Sequence, residues 1–318
     1  MKASRSLPGS AFLRPSLLVL ALVLALLPLA MPNNYVADVA VRIALAAIAA
    51  IGLNLLMGFA GQISIGHAAF VAIGAYGSGI VSVRFGWPPL AAIAGAAIGA
   101  AVVAWLIAKP ILRLKGHSLT MATLGLGVIV NIVLINEIDW TGGPDGMPVL
   151  PLTVGSFAFA KVMHWYALAA VLLWLSVLLS LNLYESPAGR ALRGLNGSEV
   201  AARVMGVDVA RFKVRAFVVS AVFAAVSGSL TAHYLGFISP SLAAFTHSVE
   251  LATMVVLGGM ASTFGAVLGA ALLTALPQLL GGLHGYEMVF FGLVLMLTMM
   301  FLPKGLVPSI ALRLRRKA

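Results

Sequence analysis

One apolar run after another, each long enough to cross a bilayer, leaves this chain little choice of fold. About 20 apolar residues wound as helix span the hydrocarbon core, and lipid offers no partner to an unpaired peptide group, so such runs become helices. Of 318 residues, 61% are hydrophobic and 9% charged, too few charges to cover a soluble surface of that size. The expected fold class is all-α: a polytopic membrane helical bundle, one transmembrane domain over residues 1–318.

Basic residues give the direction of each crossing. The net charge of +11 rests on only nine acidic residues and on clustered Lys and Arg, and such clusters hold span ends in the cytoplasm rather than marking a nucleic-acid surface. The apolar run near 15–32 reads either as a cleaved signal peptide or as a retained span. The membrane-like sequence after it favours the span. Further spans follow near 36–57, 64–83 and 88–108, returning inside at the basic cluster Lys109 to Lys115. A span near 118–135 leads out to NEIDWTGGPDGMPVLP, which carries three of the nine acids and several turn residues. A span near 164–183 returns to a cytoplasmic loop over 185–213, and 214–235 leads out to GFISPSLAAFTHS. Residues 249–282 are short for two full spans and read as two short helices meeting at LGGMAST. A last span near 286–302 places Arg313 to Lys317 inside. The total is about ten segments with both termini cytoplasmic.

Two segments are broken by glycine. GFAGQISIGHAAFVAIGAY has Gly at 58, 61, 66 and 74, and LGGMASTFGAVLGAALL is its counterpart when Gly61 is aligned with Gly259. Both read Gly-x-x-Ser, which suggests a weak internal repeat over about 36–135 and 214–302. Backbone that leaves helix within a membrane must be buried in protein or face a watery cavity, and paired breaks of this kind point to a transport path. The candidate path or hinge residues are Gly61, Gln62, Ser64, Gly66 and His67 in the first break, and Gly258, Gly259, Ser262 and Gly265 in the second. The plainer reading is that small residues let helices pack closely.

Other chemistry lacks its residues. With no cysteine, disulfides and thiolate metal sites are excluded. There is no phosphate-binding Gly-x-x-x-x-Gly-Lys-Ser/Thr loop and no His-Glu-x-x-His pair, so no catalytic residue, metal site or cofactor is expected in this chain. Ion-driven carriers need ionisable groups inside the membrane. Arg42 and Glu250 lie near outer span ends, which leaves His67 as the one relay candidate for an ion-coupled transporter or channel.

The polar stretch Gly189 to Phe217 carries six basic residues between two apolar spans. Ser198 is placed to cap a short helix, Glu199 complements its positive end, and Gly206 suits the left-handed position that ends it. Asp208 is placed to cap the next helix, which carries Arg211 and Arg215 on one face. A two-turn helix is marginal in water, and Ala201, Ala202, Val204 and Met205 form a small apolar face suited to a partner's cleft. Spacing alone leaves open an ordinary interfacial loop whose arginines meet anionic membrane lipid.

EVAARVMG resembles the Glu-Ala-Ala…Gly loop of ABC importer permeases, with Val200 as one extra residue between Glu199 and the alanine pair. ESPAGRALRG, GFAGQISIGHAAFVAIGAY, TGGPDGMP, VVLGGMASTFGAVLGA and FLPKGL are similar, in order, to blocks of the branched-chain amino acid branch. On these motifs, which span most of Asn54 to Leu306, the chain resembles the LivM-type permeases. The resemblance implies a bacterial inner-membrane importer for branched-chain amino acids or a related small polar solute. It implies as partners a second homologous permease, two cytoplasmic ATPase subunits that hold the ATP, and a periplasmic or extracellular solute-binding protein. It also implies that Glu199, Ala201, Ala202, Met205 and Gly206 form the coupling helix. A non-transport membrane scaffold is the remaining reading.

Overall fold

The computed structural model describes residues 15–279 except Pro32, Lys115 and Ser156, together with 292, 293, 296, 300 and 305–309. Described residues form a helical bundle. Five helices are long and apolar enough to cross a membrane: Asn34–Phe59, Pro89–Ile111, His117–Asn136, Val162–Glu185 and Val209–Leu235, with shorter apolar helices at Pro15–Leu29, Phe245–Gly258 and Thr263–Gln278. Most of the expected span at 286–302 and the basic cluster Arg313 to Lys317 lie outside the described residues.

Burial sorts the helices into layers. Helix α1 covers Pro15–Leu26, α2 covers Asn34–Asn54 and α3 covers His67–Arg84. Then come α4 (Pro89–Ile111), α5 (His117–Asn136), the short α6 (Ile138–Thr141) and α7 (Val162–Glu185). The most apolar window of α2 is 72% buried, against 22% for α4 and for α5. Helix α2 is therefore central, while α4 and α5 turn Ile98, Val102, Trp105, Ile129 and Ile132 outward, as lipid-facing helices do. Helix α1 packs on α7: Leu17 is buried, and the Tyr166 hydroxyl donates to the Leu24 carbonyl at 2.7 Å.

Helix α10 (Val209–Leu235) runs beside both α2 and α3. Its 27 residues give about 40 Å of helix, so it rises continuously from the basic segment into the membrane. Serines join it to its neighbours. The Ser220 and Ser227 hydroxyls, seven positions apart on one face, donate to Gly52 O at 2.6 Å and Leu45 O at 2.7 Å on α2. The Ser229 hydroxyl donates to Gly74 O at 2.8 Å on α3. Hydrogen bonds of this type are worth roughly 0.6 kcal/mol each in a bilayer. Close backbone approach matters more. A Cβ on Gly74 would stand 2.1 Å from Ala225 O, and one on Gly228 would stand 1.9 Å from Val71 O.

The two expected outer loops meet. Strand β1 (Met147–Pro148) pairs antiparallel with β4 (Phe237–Ile238), Val149 N donates to Gly236 O at 2.9 Å, and Asn131 Nδ2 donates to Pro240 O at 2.9 Å. Between them, β2 (Thr153–Val154) and β3 (Phe157–Ala158) form a small hairpin. The two loops thus occupy one end of the bundle, as an odd number of crossings between them and the basic segment requires.

Two boundaries differ from the sequence expectation. The third span begins at His67 rather than 64, because residues 60–66 leave helical geometry. The basic segment holds an additional helix, α8 (Pro187–Gly197), opened by Ser186, whose side chain accepts from Gly189 N at 3.1 Å, and by Pro187 at the first helical position.

The α3–α10 crossing yields a test. Gly74→Val should destabilise the protein by about 3 kcal/mol, read as a lower midpoint in a denaturing-detergent titration. Gly99→Ala on α4, where a Cβ meets nothing within 4 Å, should leave that midpoint unchanged.

Candidate functional site

The two breaks touch each other, and the basic segment touches the first. Past Asn54, residues Leu55–Phe59 widen into a π-helical turn, a form that leaves helix groups free for other partners. The chain then runs without helix to Gly66. Gly61 takes φ +65°, and a Cβ there would meet Asn196 Oδ1 at 2.6 Å. Helix α11 (Phe245–Gly258) ends at Gly259, which has φ +116°, and α12 (Thr263–Leu279) starts four residues later. Its 14 residues give about 21 Å, short of the roughly 30 Å hydrocarbon core. The buried Asn54 carboxamide joins the breaks: its Oδ1 accepts from Ala261 N at 2.9 Å. Ala261 sits at φ 64°, a left-handed conformation costing a non-glycine residue about 1 kcal/mol or more.

Neighbouring helices supply the other bonds of the first break. Thr123 Oγ1 on α5 accepts from Ile65 N at 3.2 Å, and Ser248 Oγ on α11 accepts from Ala68 N at 3.1 Å. Gly66 lies so close to α5 that a Cβ would stand 1.7 Å from Thr123 O. Three buried polar atoms here have no hydrogen-bond partner among the described residues: Asn54 Nδ2, Gln62 Oε1 and His67 Nε2. Buried polar atoms are seldom left unpaired, and where they are, a functional cause is worth seeking.

The basic segment is fastened to this node. Asn196 Nδ2 on α8 donates to Gly58 O at 2.8 Å. The Arg193 guanidinium lies 3.9 Å from the Tyr184 ring centroid, and Tyr184 lies 5.0 Å from the ring of Phe59 in the π turn. Helix α9 (Glu199–Val204) follows, with the Ser198 side chain accepting from Ala201 N and Gly206 at φ +80° past its end. Asp208 caps α10 through Arg211 N at 3.1 Å. Glu199 forms an ion pair with Lys213, whose side chain is only 3% exposed, so α9 is tied to the first turns of α10.

Sequence and structure assign the faces of α9 differently. Ala202, expected on the apolar docking face, is buried within the chain, because the turn at Gly206 folds α9 back and Val207 N bonds Ala202 O at 3.0 Å. The exposed apolar side chains are Val200, Val204 and Met205, at 72%, 82% and 82%. Of the expected path residues, Gly61, Gln62, Ser64, Gly66 and His67 stay together in the first break. Gly258 and Gly265 press α11 against α12, where a Cβ on Gly258 would stand 1.9 Å from Gly265 O. Ser262 Oγ accepts from Gly265 N at 3.0 Å and so caps α12. His67 packs near the Phe70 ring, and among the described residues no hydrogen bond or ion pair links it to another titratable group. Asn54, Asn196 and Lys213 were missed. Asn54, alone in an apolar run beside the break, was the legible signal.

At the end of the bundle where the two loops pair, a cavity of about 440 Å³ lies between α2, α3, α10, α11 and α12. Leu45, Val71, Leu251 and Met254 supply apolar wall, while Arg42, His247 and Glu250 bring charge or polarity to it. None of the expected path residues lines it.

Residues 35–302 match the family described as the branched-chain amino acid transport system permease component. The chain is 32% identical to the high-affinity branched-chain amino acid transport system permease protein LivM of Escherichia coli K12, over 99% of this chain and 82% of that one. It is 27% identical to the corresponding LivH protein of the same strain, over 82% and 90%. It is 30% identical to the autoinducer 2 import system permease protein LsrC of Klebsiella pneumoniae, over 60% and 53%. No solved structure matches.

Two buried links can be tested by stability. Asn54→Ala should cost about 1–3 kcal/mol, since the Ala261 N–H loses its acceptor inside the protein, and hydrogen exchange should rise at that amide. Glu199→Gln should cost about 3 kcal/mol, because the Lys213 ammonium stays buried without this partner, whereas Lys213→Met should cost less, because the Glu199 carboxylate is 24% exposed. The double variant should cost less than the sum of the two, measured by denaturant titration in micelles.

Proposed function

The chain belongs to the permease components of branched-chain amino acid transport systems, and from that premise we propose that it forms half of the translocation path of an ABC importer. The solute in this reading is a branched-chain amino acid or a related small polar molecule. A second, homologous permease completes the path, and an external binding protein delivers solute to the outer loops. Two cytoplasmic ATPases bind the ATP, and this chain holds no cofactor of its own. The setting is a bacterial inner membrane crossed about ten times, with both termini inside.

One observation carries the energy-coupling part. Helix α9 leaves Val200, Val204 and Met205 exposed on a basic surface, although a six-residue helix does not persist alone. Its Ser198 cap and its Lys213 ion pair hold it ready for a partner's cleft. Residues 185–213 then act as the coupling segment, with Glu199 as anchor, Gly206 as the turn, and Ala201 and Met205 towards the partner.

The two breaks serve as the inner closure. Helix α8 meets the first through Asn196 and Gly58, and Asn54 carries the contact on to the second. Coupling requires that ATPase closure favour one arrangement of these contacts over another. The paired hairpins α2–α3 and α11–α12, each turning at a glycine of positive φ, support an internal repeat. Nothing in the site favours a proton-driven carrier.

Val204→Glu and Met205→Glu should each reduce co-purification of the ATPase subunits and lower leucine uptake at least about tenfold, with the amount of permease in the membrane unchanged. Ala202→Glu should instead lower the unfolding midpoint, because the charge would enter the chain's own interior. Uptake and ATPase recovery at the unmodified level in both exposed-site variants would sink the docking assignment.

A further inference from the structure

We infer that the outer cavity is a recognition subsite for a zwitterionic α-amino acid with an aliphatic side chain, an inference that rests on the proposed importer reading. Arg42 supplies the positive charge. Its Nε donates to Asp38 Oδ2 at 2.9 Å, and the other oxygen of Asp38 accepts from the Tyr234 hydroxyl. Asp38 is thereby held from two sides and in turn holds one edge of the guanidinium. The two terminal nitrogens of Arg42 have no partner among the described residues, and Arg42 lines the cavity. A planar guanidinium with both terminal nitrogens free is suited to bidentate capture of a carboxylate.

Glu250, on α11, lines the same cavity. Its Oε2 lies 3.3 Å from His247 Nδ1, and its side chain is 50% exposed, so it remains available to an ammonium group. A cation and an anion from two different helices thus reach one cavity. An α-amino acid carries both charges on adjacent atoms. The rest of the wall is apolar, from Leu45, Val71, Leu251 and Met254, and suits a branched aliphatic side chain. About 440 Å³ holds one such molecule with water, within the range of small-molecule sites. An ordinary i,i+4 surface pair explains Asp38 and Arg42 alone. It does not explain why Glu250 and the apolar wall share their cavity.

The chain has no cysteine, which allows a direct test in membranes of cells expressing the whole transport system. Thr274→Cys places a single thiol on the cavity wall, to be modified by a membrane-impermeant methanethiosulfonate. Saturating leucine should slow that modification about tenfold. 4-Methylvalerate, which lacks the ammonium, and isoamylamine, which lacks the carboxylate, should not slow it. Adding Arg42→Gln or Glu250→Gln should abolish protection by leucine while the unprotected rate stays the same. Failure of leucine to protect, equal protection by the singly charged analogues, or a thiol that never reacts would each overturn the subsite. Leucine uptake by the same cells before substitution separates the two levels: no uptake removes the solute reading and this subsite with it, whereas uptake without protection removes the subsite alone.

Discussion

A peptide group that leaves helix and is covered by protein needs another partner, and residues 60–66 and 259–262 free several at once. The arrangement around the breaks follows from satisfying them. Asn54, Thr123, Ser248 and Asn196 each lend a side-chain oxygen or nitrogen to a backbone group of another segment. Each lender sits on a different helix, so the breaks can exist only where α2, α5, α8 and α11 converge. Small residues allow the convergence. Gly58 is the clearest case, since a Cβ there would stand 2.3 Å from Ala261 N and 2.4 Å from the Asn54 oxygen that binds it.

The same constraint sets how firmly this region is held. A helix interior is held by its own ladder of bonds and gives way only as a unit. A break is held by single side-chain contacts, each worth about 1 kcal/mol net, and it stores strain at Ala261. Helices α2, α3 and α10, by contrast, pack closely and are joined by serines.

The basic segment combines opposite treatments of its side chains. It buries a charge, Lys213, and exposes apolar groups, Val204 and Met205. A buried ion pair seldom adds net stability, because desolvation offsets the attraction, but losing one member is costly. The Glu199–Lys213 pair therefore serves position more than stability: α9 cannot leave α10 without stranding a charge. The exposed apolar groups have no such tie among the described residues.

Much of this was legible in the residues. Apolar runs gave the helical bundle and its two glycine breaks, because hydropathy acts through spacing along the chain. Ser198, Gly206 and Asp208 announced their caps for the same reason, since capping is a contact within a few residues. Ala202 was misassigned because its face depends on how the turn after α9 folds back. Partners drawn from distant segments were beyond reach: Asn196 meets Gly58 across 138 positions, and Asn54 meets Ala261 across 207. Arg42 and Glu250 looked like two unrelated interfacial charges until α2 and α11 brought them to one cavity. The sequence by itself determined which segments form apolar helices, where they break and how their ends are capped. Only the tertiary structure decided which polar groups meet inside, because that depends on the packing of helices far apart in the chain.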